Sequence, residues 1–355
     1  MTQSSSTPPV SLPSDDRFAQ LQQWLLTYAT RLGLDMQSLA PASSDASFRR
    51  YFRVQSRDRS LIIMDAPPAQ EDCGPFLHVT ALLRDVGLNV PTLLAQDAGQ
   101  GFLLLSDLGP TTYYQAIQAG LPDTELQTRY REALAALAQM QTASTQGLPA
   151  YDQARLLQEL TLFPEWYVAR HCKAELTDTE QAQLQDLFVT LTQDNVKQPS
   201  VLVHRDFHSP NLMLCTEAQY GANPGIIDYQ DALVGPITYD IASLVMDART
   251  TWEEPQQIDW AIRYWEMARK AGLPIDADFA DFHRAYEWMS LQRNLRILGV
   301  FARLALRDNK PHYLNHMPRV LAYVYQVAAR YSVFRPLLRL LDRLEGKPVR
   351  PGFTL

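Results

Sequence analysis

The sequence has 355 residues, which is long enough for two domains or lobes, and its hydrophobic fraction of 46% supports a sizeable core. Its net charge of −7 at pH 7 disfavours nucleic acid or an anionic membrane surface as the main partner. No run of about 18 uninterrupted apolar residues occurs, so no membrane span is expected. The three cysteines are too widely spaced for a disulfide framework or a zinc motif, which favours a reducing cytoplasm.

The N-terminal residues 1–14 are dominated by Ser, Thr and Pro. They contain neither the basic region nor the apolar region of a secretory signal. We predict a disordered leader here, followed by a helix over roughly 17–33, where apolar residues recur at steps of three and four.

The next part of the chain predicts a small α+β lobe, which we place at residues 15–105. Alternating apolar residues predict strands at 48–54 and 61–65 as a hairpin, a helix over 74–86, and strands at 90–95 and 101–105. The sequence SDLGP at 106–110 interrupts this pattern and predicts the hinge between lobes. Residues 111–355 predict a larger lobe that is mainly helical, with helices at 123–141, 151–172, 177–195, 256–271, 277–306, 312–331 and 333–344.

The most informative stretch of the chain runs from 201 to 244. An apolar run leads into Asp206, Asn211 follows five positions later, and a second apolar run ends at Asp228. This spacing matches the kinase loop H-R-D-x-x-x-x-N followed by a metal-binding aspartate on a strand. We interpret Asp206 as the catalytic base, and Asn211 and Asp228 as ligands of Mg²⁺ on the phosphates of a nucleotide.

Three neighbouring residues are given supporting or passive roles. We expect His204 to pack beneath the loop as a structural residue. Asp240 begins a helix after a turn, and we expect it to accept loop N–H groups and so brace the loop. His208 is interpreted as a solvated loop histidine.

The nucleotide-binding elements of the small lobe are less regular. The lobe has no G-x-G-x-x-G, and Met64 stands where a kinase strand carries its phosphate-binding lysine. The small polar turn 43–47 offers backbone N–H groups for phosphates, although an ordinary hairpin turn fits it equally well. Arginines on the preceding strand, including Arg53, can supply the missing charge. The candidate nucleotide-binding residues are Ser44, Ser47, Arg49, Arg50, Ser106 and Asp107.

The segments HRDFHSPN at 204–211, IIDYQDA at 226–232 and GPITYDIASL at 235–244 resemble the aminoglycoside phosphotransferase-like kinases. This resemblance implies an α+β, two-lobed protein-kinase-like fold, with a small N-terminal β-rich lobe and a larger, mainly helical C-terminal lobe. Only eight positions separate Asp228 from Pro236, which leaves no room for the activation segment that binds peptides in protein kinases.

Within that family, SFRRYFRV at 47–54, MDAPP at 64–68, LLLSDLG at 103–109 and LFPEWYV at 162–168 resemble the bacterial anomeric sugar kinases. Those enzymes act on N-acetylmuramate and N-acetylglucosamine, and the missing lysine is normal among them. The resemblance implies ATP and Mg²⁺ as cofactors, phosphorylation of the C1 hydroxyl, and a role in cytoplasmic peptidoglycan recycling. It leaves the oligomeric state open, and a monomer is compatible with it.

The acceptor would be a small amino sugar, with neither nucleic acid nor membrane as a partner. N-acetylmuramate carries a lactyl carboxylate, for which Arg293 and Arg296 are candidate partners. Trp166 offers a stacking surface and Glu165 an acceptor for sugar hydroxyls. Two alternatives remain open: a kinase of the same fold for aminoglycosides or choline, and an inactive nucleotide-binding scaffold. The arginine-rich C-terminal helices disfavour a polycationic aminoglycoside.

Overall fold

The computed structural model describes residues 12–13, 15–43, 48–57 and 59–347. Its chain divides into two compact units. The N-terminal unit comprises Met1–Thr111 and Met213–Gln230, and the helical unit comprises Thr112–Leu212 and Asp231–Leu355. Most of the predicted leader, as well as Ser44 and Ser47, lies outside the described residues. The lobe boundaries drawn from the sequence stay predictions.

The N-terminal unit is built on a five-stranded antiparallel sheet in the order β1–β2–β3–β5–β4. The alternation-based hairpin is present, with Arg50 opposite Asp65 in the ladder. One strand, β1, was not predicted. It contains Pro41, which an edge strand tolerates because one side of its backbone has no partner strand. The strands are β1 (Leu34–Ser43), β2 (Arg50–Ser56), β3 (Arg59–Asp65), β4 (Leu93–Asp97) and β5 (Phe102–Ser106).

Helix α1 (Asp16–Leu32) covers one face of this sheet. The Asp15 side chain caps its first turn by accepting the Phe18 N–H at 2.7 Å. Its apolar stripe then meets the strands, with the Phe18 and Phe52 rings 5.1 Å apart. Helix α2 (Gly74–Asp85) packs elsewhere in the unit, where the ring of Phe76 stacks on Tyr229 at 5.3 Å.

The helical unit is arranged around one long helix, α9 (Phe279–Leu306), which is buried over most of its length. Gly299 on α9 lies directly against the backbone of Leu162. A Cβ at this position would fall 2.4 Å from the Leu162 carbonyl, so the close approach requires glycine. The other helices are α3 (Tyr113–Gln118), α4 (Asp123–Met140), α5 (Gln153–Leu160), α6 (Asp178–Asn195), α7 (Tyr239–Val245), α8 (Glu254–Lys270), α10 (Met317–Ala328) and α11 (Arg335–Leu344).

The predicted helix over 151–172 is wrong in one respect. It breaks after α5, and Phe163–His171 forms a π-helix instead. Pro164 lies in the first turn of this π-helix, where its missing N–H costs nothing. Of the helices that the structure describes, none combines the length and apolar character needed to cross a membrane.

Four short strands complete the fold. In the helical unit, β6 (Ser200–Val203) pairs antiparallel with β9 (Leu233–Pro236). A second two-stranded ladder joins β7 (Leu212–Met213) to β8 (Gly225–Ile226). The segment between β6 and β7 carries the HRDFHSPN sequence, so its two ends are held by strands.

Candidate active site

The loop of residues 204–211 starts from a buried strand. Val201, Leu202 and Val203 of β6 are at most 4% exposed, so apolar burial fixes where the loop begins. The loop closes with a short 3-10 turn, Ser209–Asn211, directly before β7. Its polar side chains are therefore presented from a rigid base.

Asp240 anchors the start of the loop. Its Oδ2 accepts the His204 N–H at 2.7 Å and its Oδ1 accepts the Arg205 N–H at 3.0 Å. These bonds hold Arg205 at a left-handed φ of 78°, a conformation that costs of order 1 kcal/mol in a residue with a side chain. Burial raises the pKa of Asp240 to about 6, although His204 and the two loop N–H groups lower it. The carboxylate form therefore predominates at neutral pH.

Asp206 is half-buried at the centre of the loop. Its carbonyl accepts the His208 N–H and the Asn211 Nδ2, each at 3.0 Å. Burial raises the pKa of its carboxyl, but the positive charges of His208, Arg296 and Arg293 outweigh this and bring the pKa down to about 2. Asp206 is thus a carboxylate at neutral pH, ready to accept a proton or a hydrogen bond.

Asn211 and Asp228 have the donor chemistry that Mg²⁺ requires. The Asn211 amide nitrogen donates to the Asp206 carbonyl, and its amide oxygen is of the ligand type that Mg²⁺ accepts. Asp228 lies in the N-terminal unit, where it is exposed, has a left-handed φ of 65°, and accepts the Gln230 Nε2 at 2.9 Å. Each residue supplies an oxygen, so the donor set fits the metal, and the metal role of both stays a prediction.

The interpretation of His208 as a solvated loop histidine is wrong. The residue is 7% exposed, and its Nδ1 forms no hydrogen bond with any residue that the structure describes. Burial lowers its pKa to about 4, against the raising effect of Asp247 and Asp206. His208 is therefore neutral at pH 7. The sequence did not predict the burial of His208, because the segment that packs near it lies about forty residues further along the chain.

Asp247 is a second anchor of the loop that the sequence analysis missed. It is fully buried, and its Oδ2 accepts both the Ser209 N–H, at 3.1 Å, and the Ser209 hydroxyl. Its Oδ1 accepts the Arg249 N–H at 2.8 Å. Asp247 lies two residues past the end of α7, so its spacing from Asp240 in the sequence does not identify it as an anchor.

The buried His208 predicts an acid-sensitive contribution to stability. In the unfolded chain the His208 imidazole is protonated near pH 6.5, whereas in the folded chain its burial opposes protonation at that pH. The contribution is therefore complete above pH 6.5 and is lost as pH falls through about 4, by up to about 3 kcal/mol. We expect urea unfolding of His208→Asn to lose less stability between pH 6.5 and 4 than the wild type. The exposed-site variant His312→Asn serves as control, and equal losses in all three chains would contradict this assignment.

Glu159 on α5 holds a cluster of charges beside the loop. It accepts Arg205 Nη2 at 2.6 Å, Arg296 Nε at 3.2 Å and the Tyr151 hydroxyl. Arg296 is therefore already paired with a carboxylate. Arg293 lies on α9 just under one turn earlier and is 2% exposed. Nothing in the sequence around Glu159 distinguishes it from other helical glutamates.

The other two candidate acceptor residues lie on the π-helix. Trp166 is 8% exposed, and the Arg170 guanidinium covers one face of its ring at 4.2 Å from the centroid. Glu165 is more than half exposed in its side chain and lies 3.8 Å from the Arg170 Nη2. Only the uncovered part of Trp166 can meet a sugar, and both roles stay predictions.

In the N-terminal unit, Arg49 and Arg50, which are predicted to replace the missing lysine, are ion-paired. Arg49 Nη2 lies 3.0 Å from Glu71, and Arg50 Nη2 lies 2.6 Å from the fully buried Asp65. Arg50 also contacts Asp15, the cap of α1. A nucleotide phosphate would have to share these arginines with carboxylates, and their nucleotide-binding role stays a prediction.

The residues of the predicted hinge are also held by specific contacts. Asp107 is 4% exposed and accepts Arg53 Nε at 2.6 Å and the Gly109 N–H at 3.0 Å. Burial raises the pKa of Asp107, but the Arg53 guanidinium and the hydrogen bonds from Ser60 and Gly109 outweigh this and lower the pKa, so Asp107 is ionised at neutral pH. Ser106 exchanges backbone and side-chain bonds with Thr92 at 2.9 and 2.8 Å. The segment after β5 therefore has a fixed shape, and its contact with a nucleotide stays a prediction.

The fold and the loop define a class of protein. The Phosphotransferase enzyme family matches residues 38–288, and the chain belongs to this family. It is 46% identical over 341 residues to an N-acetylmuramate/N-acetylglucosamine kinase of Pseudomonas aeruginosa, covering 94% of this chain and 98% of that one. The enzyme of the same name from Neisseria meningitidis serogroup B is 43% identical over 341 residues, with 95% and 99% covered.

A solved structure supports the fold independently of close sequence similarity. The spectinomycin phosphotransferase in complex with ADP and spectinomycin matches with a TM-score of 0.60, covering 86% of this chain and 98% of that chain. The sequence identity is 14%, so this likeness concerns the fold alone. The predicted two-lobed α+β kinase-like fold is confirmed, and so is the predicted resemblance to the phosphotransferase family.

Proposed function

We propose that this chain is an ATP-dependent kinase that phosphorylates the anomeric C1 hydroxyl of N-acetylmuramate and N-acetylglucosamine. The observation that carries the proposal is the 46% identity over 94% of the chain to an enzyme named for these two sugars. We assign the activity to peptidoglycan recycling in the cytoplasm, where ATP is available.

Asp206 takes the proton in the proposed reaction. As the C1 oxygen bonds to the γ-phosphorus and the bond from phosphorus to the β-phosphate oxygen breaks, the hydroxyl proton passes to the Asp206 carboxylate and ADP leaves. A carboxylate with a pKa of about 2 is a weak base. An anomeric hydroxyl is more acidic than an ordinary alcohol, so a carboxylate suffices as its base, and Asp206 also orients the hydroxyl.

The charge on the phosphates needs a cation as well as a base. When bound, Mg²⁺ would neutralise the negative charge that develops on the phosphate oxygens. Asn211 and Asp228 would hold it through one oxygen each. The bond from the Asn211 amide to the Asp206 carbonyl couples the orientation of this ligand to the position of the base.

The anchors of the loop supply the rigidity that such a site needs. Asp240 binds the first two loop N–H groups, and Asp247 binds the N–H and hydroxyl of Ser209. Both carboxylates are fully buried, so they act in a low-dielectric setting where their hydrogen bonds are strong. The reacting groups are therefore held in place before substrate arrives.

The residues that contact the nucleotide and the acceptor are assigned from the sequence. We assign the nucleotide to Ser44 and Ser47, to Arg49 and Arg50, and to the predicted hinge residues Ser106 and Asp107. The acceptor is assigned to the helical unit, where Trp166 and Glu165 would contact the sugar ring and its hydroxyls. Arg296 is ion-paired with Glu159, and we assign to it the role of holding the acceptor side of the loop in position.

A coupled assay of ADP release tests the proposal. We expect Mg²⁺-dependent turnover with N-acetylmuramate and N-acetylglucosamine, and none with choline or an aminoglycoside. Chelation of the metal by EDTA should abolish the signal. Turnover with choline or an aminoglycoside, combined with none for either amino sugar, would refute the proposal.

A further inference from the structure

Arg293 is a buried cation without an ion-pair partner among the residues that the structure describes. It lies near the middle of α9 and is 2% exposed. Its Nε and Nη1 are sealed from solvent and form no hydrogen bond, and the whole residue has no ion pair with any part of the chain that the structure describes. This is unusual, because an arginine inside a protein is normally paired.

The cost of this arrangement is considerable. An unpaired ion in a protein interior loses several kcal/mol of solvation that no internal contact restores. Other arginines on α9 show the normal solution: Arg284 pairs with Asp194 at 3.1 Å and Arg296 pairs with Glu159 at 3.2 Å. A ligand with an anionic group would provide Arg293 with the partner that the described part of the chain does not.

The position of Arg293 indicates which ligand this is. Arg296, three residues along the same helix, shares Glu159 with Arg205, and Arg205 directly precedes Asp206. The charge of Arg293 also lowers the pKa of both Asp206 and His208, so it lies close to the base. An anion bound there would belong to the molecule whose hydroxyl Asp206 faces.

We propose that Arg293 binds the carboxylate of the acidic amino sugar and is the residue that favours this acceptor over the neutral one. The inference rests on the proposed function. The two sugars differ by a lactyl ether that carries the carboxylate, and N-acetylglucosamine has no anionic group. The planar guanidinium offers two parallel N–H groups, which match the two oxygens of a carboxylate.

The phosphates of the nucleotide are an alternative anionic partner for Arg293. A comparison of the two sugars distinguishes this partner from the lactyl carboxylate. A contact with the γ-phosphate serves both reactions equally, whereas a contact with the lactyl carboxylate serves only one. The ratio of kcat/KM for the two sugars is therefore the informative quantity, because any effect on ATP or on folding cancels in it.

The test uses the Arg293→Met variant, which keeps the volume of the stem and removes the charge. We expect kcat/KM for N-acetylmuramate to fall by about tenfold to a hundredfold, the usual value of a hydrogen bond to a charged group. The value for N-acetylglucosamine should stay within about twofold. The matched control is Arg284→Met, which removes a partly exposed, ion-paired arginine from the same helix and should change neither value.

A second variant and a binding measurement keep the test decisive. Arg293→Lys keeps the charge and loses the two-pronged geometry, so it should show an intermediate loss for N-acetylmuramate alone, and it decides the matter if Arg293→Met does not fold. N-acetylmuramate should raise the Tm of the wild type but not of Arg293→Met. Equal losses on both sugars would overturn the inference and leave the proposed function standing. A wild-type chain inactive on both sugars would overturn the proposed function and the inference with it.

Discussion

Asp206→Asn is expected to lower kcat by about a thousandfold while the affinity for ATP stays within about twofold. The amide has nearly the shape of the carboxylate but cannot accept the hydroxyl proton, and loss of a positioned base costs about 10²–10⁴ in rate. ADP release measures kcat, and isothermal titration calorimetry measures nucleotide affinity.

The structure explains why this variant should stay folded. The anchors at Asp240 and Asp247 bind other parts of the loop, so no described hydrogen bond of the anchors depends on the Asp206 carboxylate. Asp281→Asn, an exposed carboxylate in the first turn of α9, is the control and should keep full activity. Retention of kcat within tenfold of the wild type in Asp206→Asn would remove Asp206 from the role of base.

Asp240→Asn is expected to lower kcat by about tenfold to a hundredfold. Asparagine keeps one acceptor oxygen, but its amide N–H₂ faces one of the two loop N–H groups that the carboxylate now binds. A charge-assisted hydrogen bond of this kind contributes about 1.5–3 kcal/mol. If this energy is lost in the transition state, kcat falls by about tenfold to a hundredfold.

The same residue predicts the acid limb of the pH profile. Protonation of Asp240 near its pKa of about 6 converts one acceptor oxygen into a hydroxyl, so kcat of the wild type should fall as pH drops through 6. In Asp240→Asn this limb should be absent. His208, with a pKa of about 4, stays neutral throughout this range. An acid limb with the same midpoint in both chains would contradict the assignment to Asp240.

The effect of Asp240 on stability has the opposite sign to its effect on activity. Its folded-state pKa lies above the ordinary value of 3.8, so the folded chain binds this proton more tightly than the unfolded chain does. This favourable contribution is complete below about pH 4 and is lost as pH rises through 6. The ionised form that braces the loop therefore reduces stability at neutral pH. Circular dichroism at pH 5.5 should show a native fold where kcat has already fallen.

Local pattern allowed much of the fold to be predicted. The β2–β3 hairpin follows from alternation, and α1 follows from its capping residue and apolar stripe, because both depend on neighbours in sequence. Strand β1 was missed because Pro41 suppresses a strand prediction. The break between α5 and the π-helix was missed because the apolar pattern of this segment does not distinguish an α-helix, with about 3.6 residues per turn, from the wider π-helix.

Contacts between distant residues were beyond the reach of the sequence. Arg293 and Arg296 are the same residue type on the same helix, so the sequence does not distinguish their roles. Their environments differ because Glu159, more than 130 residues earlier, forms an ion pair with only one of them, Arg296. His208 is polar and lies in a loop, and its burial arises with the Asp247 segment packed nearby. Residue spacing thus supplies the candidate groups for chemistry, whose roles stay predictions, while their charge states depend on tertiary packing.

The identity of the phosphorylated atom is the most direct test of the central claim. The product of N-acetylmuramate and ATP should be examined by a two-dimensional correlation between phosphorus-31 and protons. The account predicts a single new phosphorus signal coupled to the sugar proton H1, as expected for a phosphate ester at the anomeric carbon. Coupling to the two protons at C6, or the absence of any phosphorylated sugar, would contradict it.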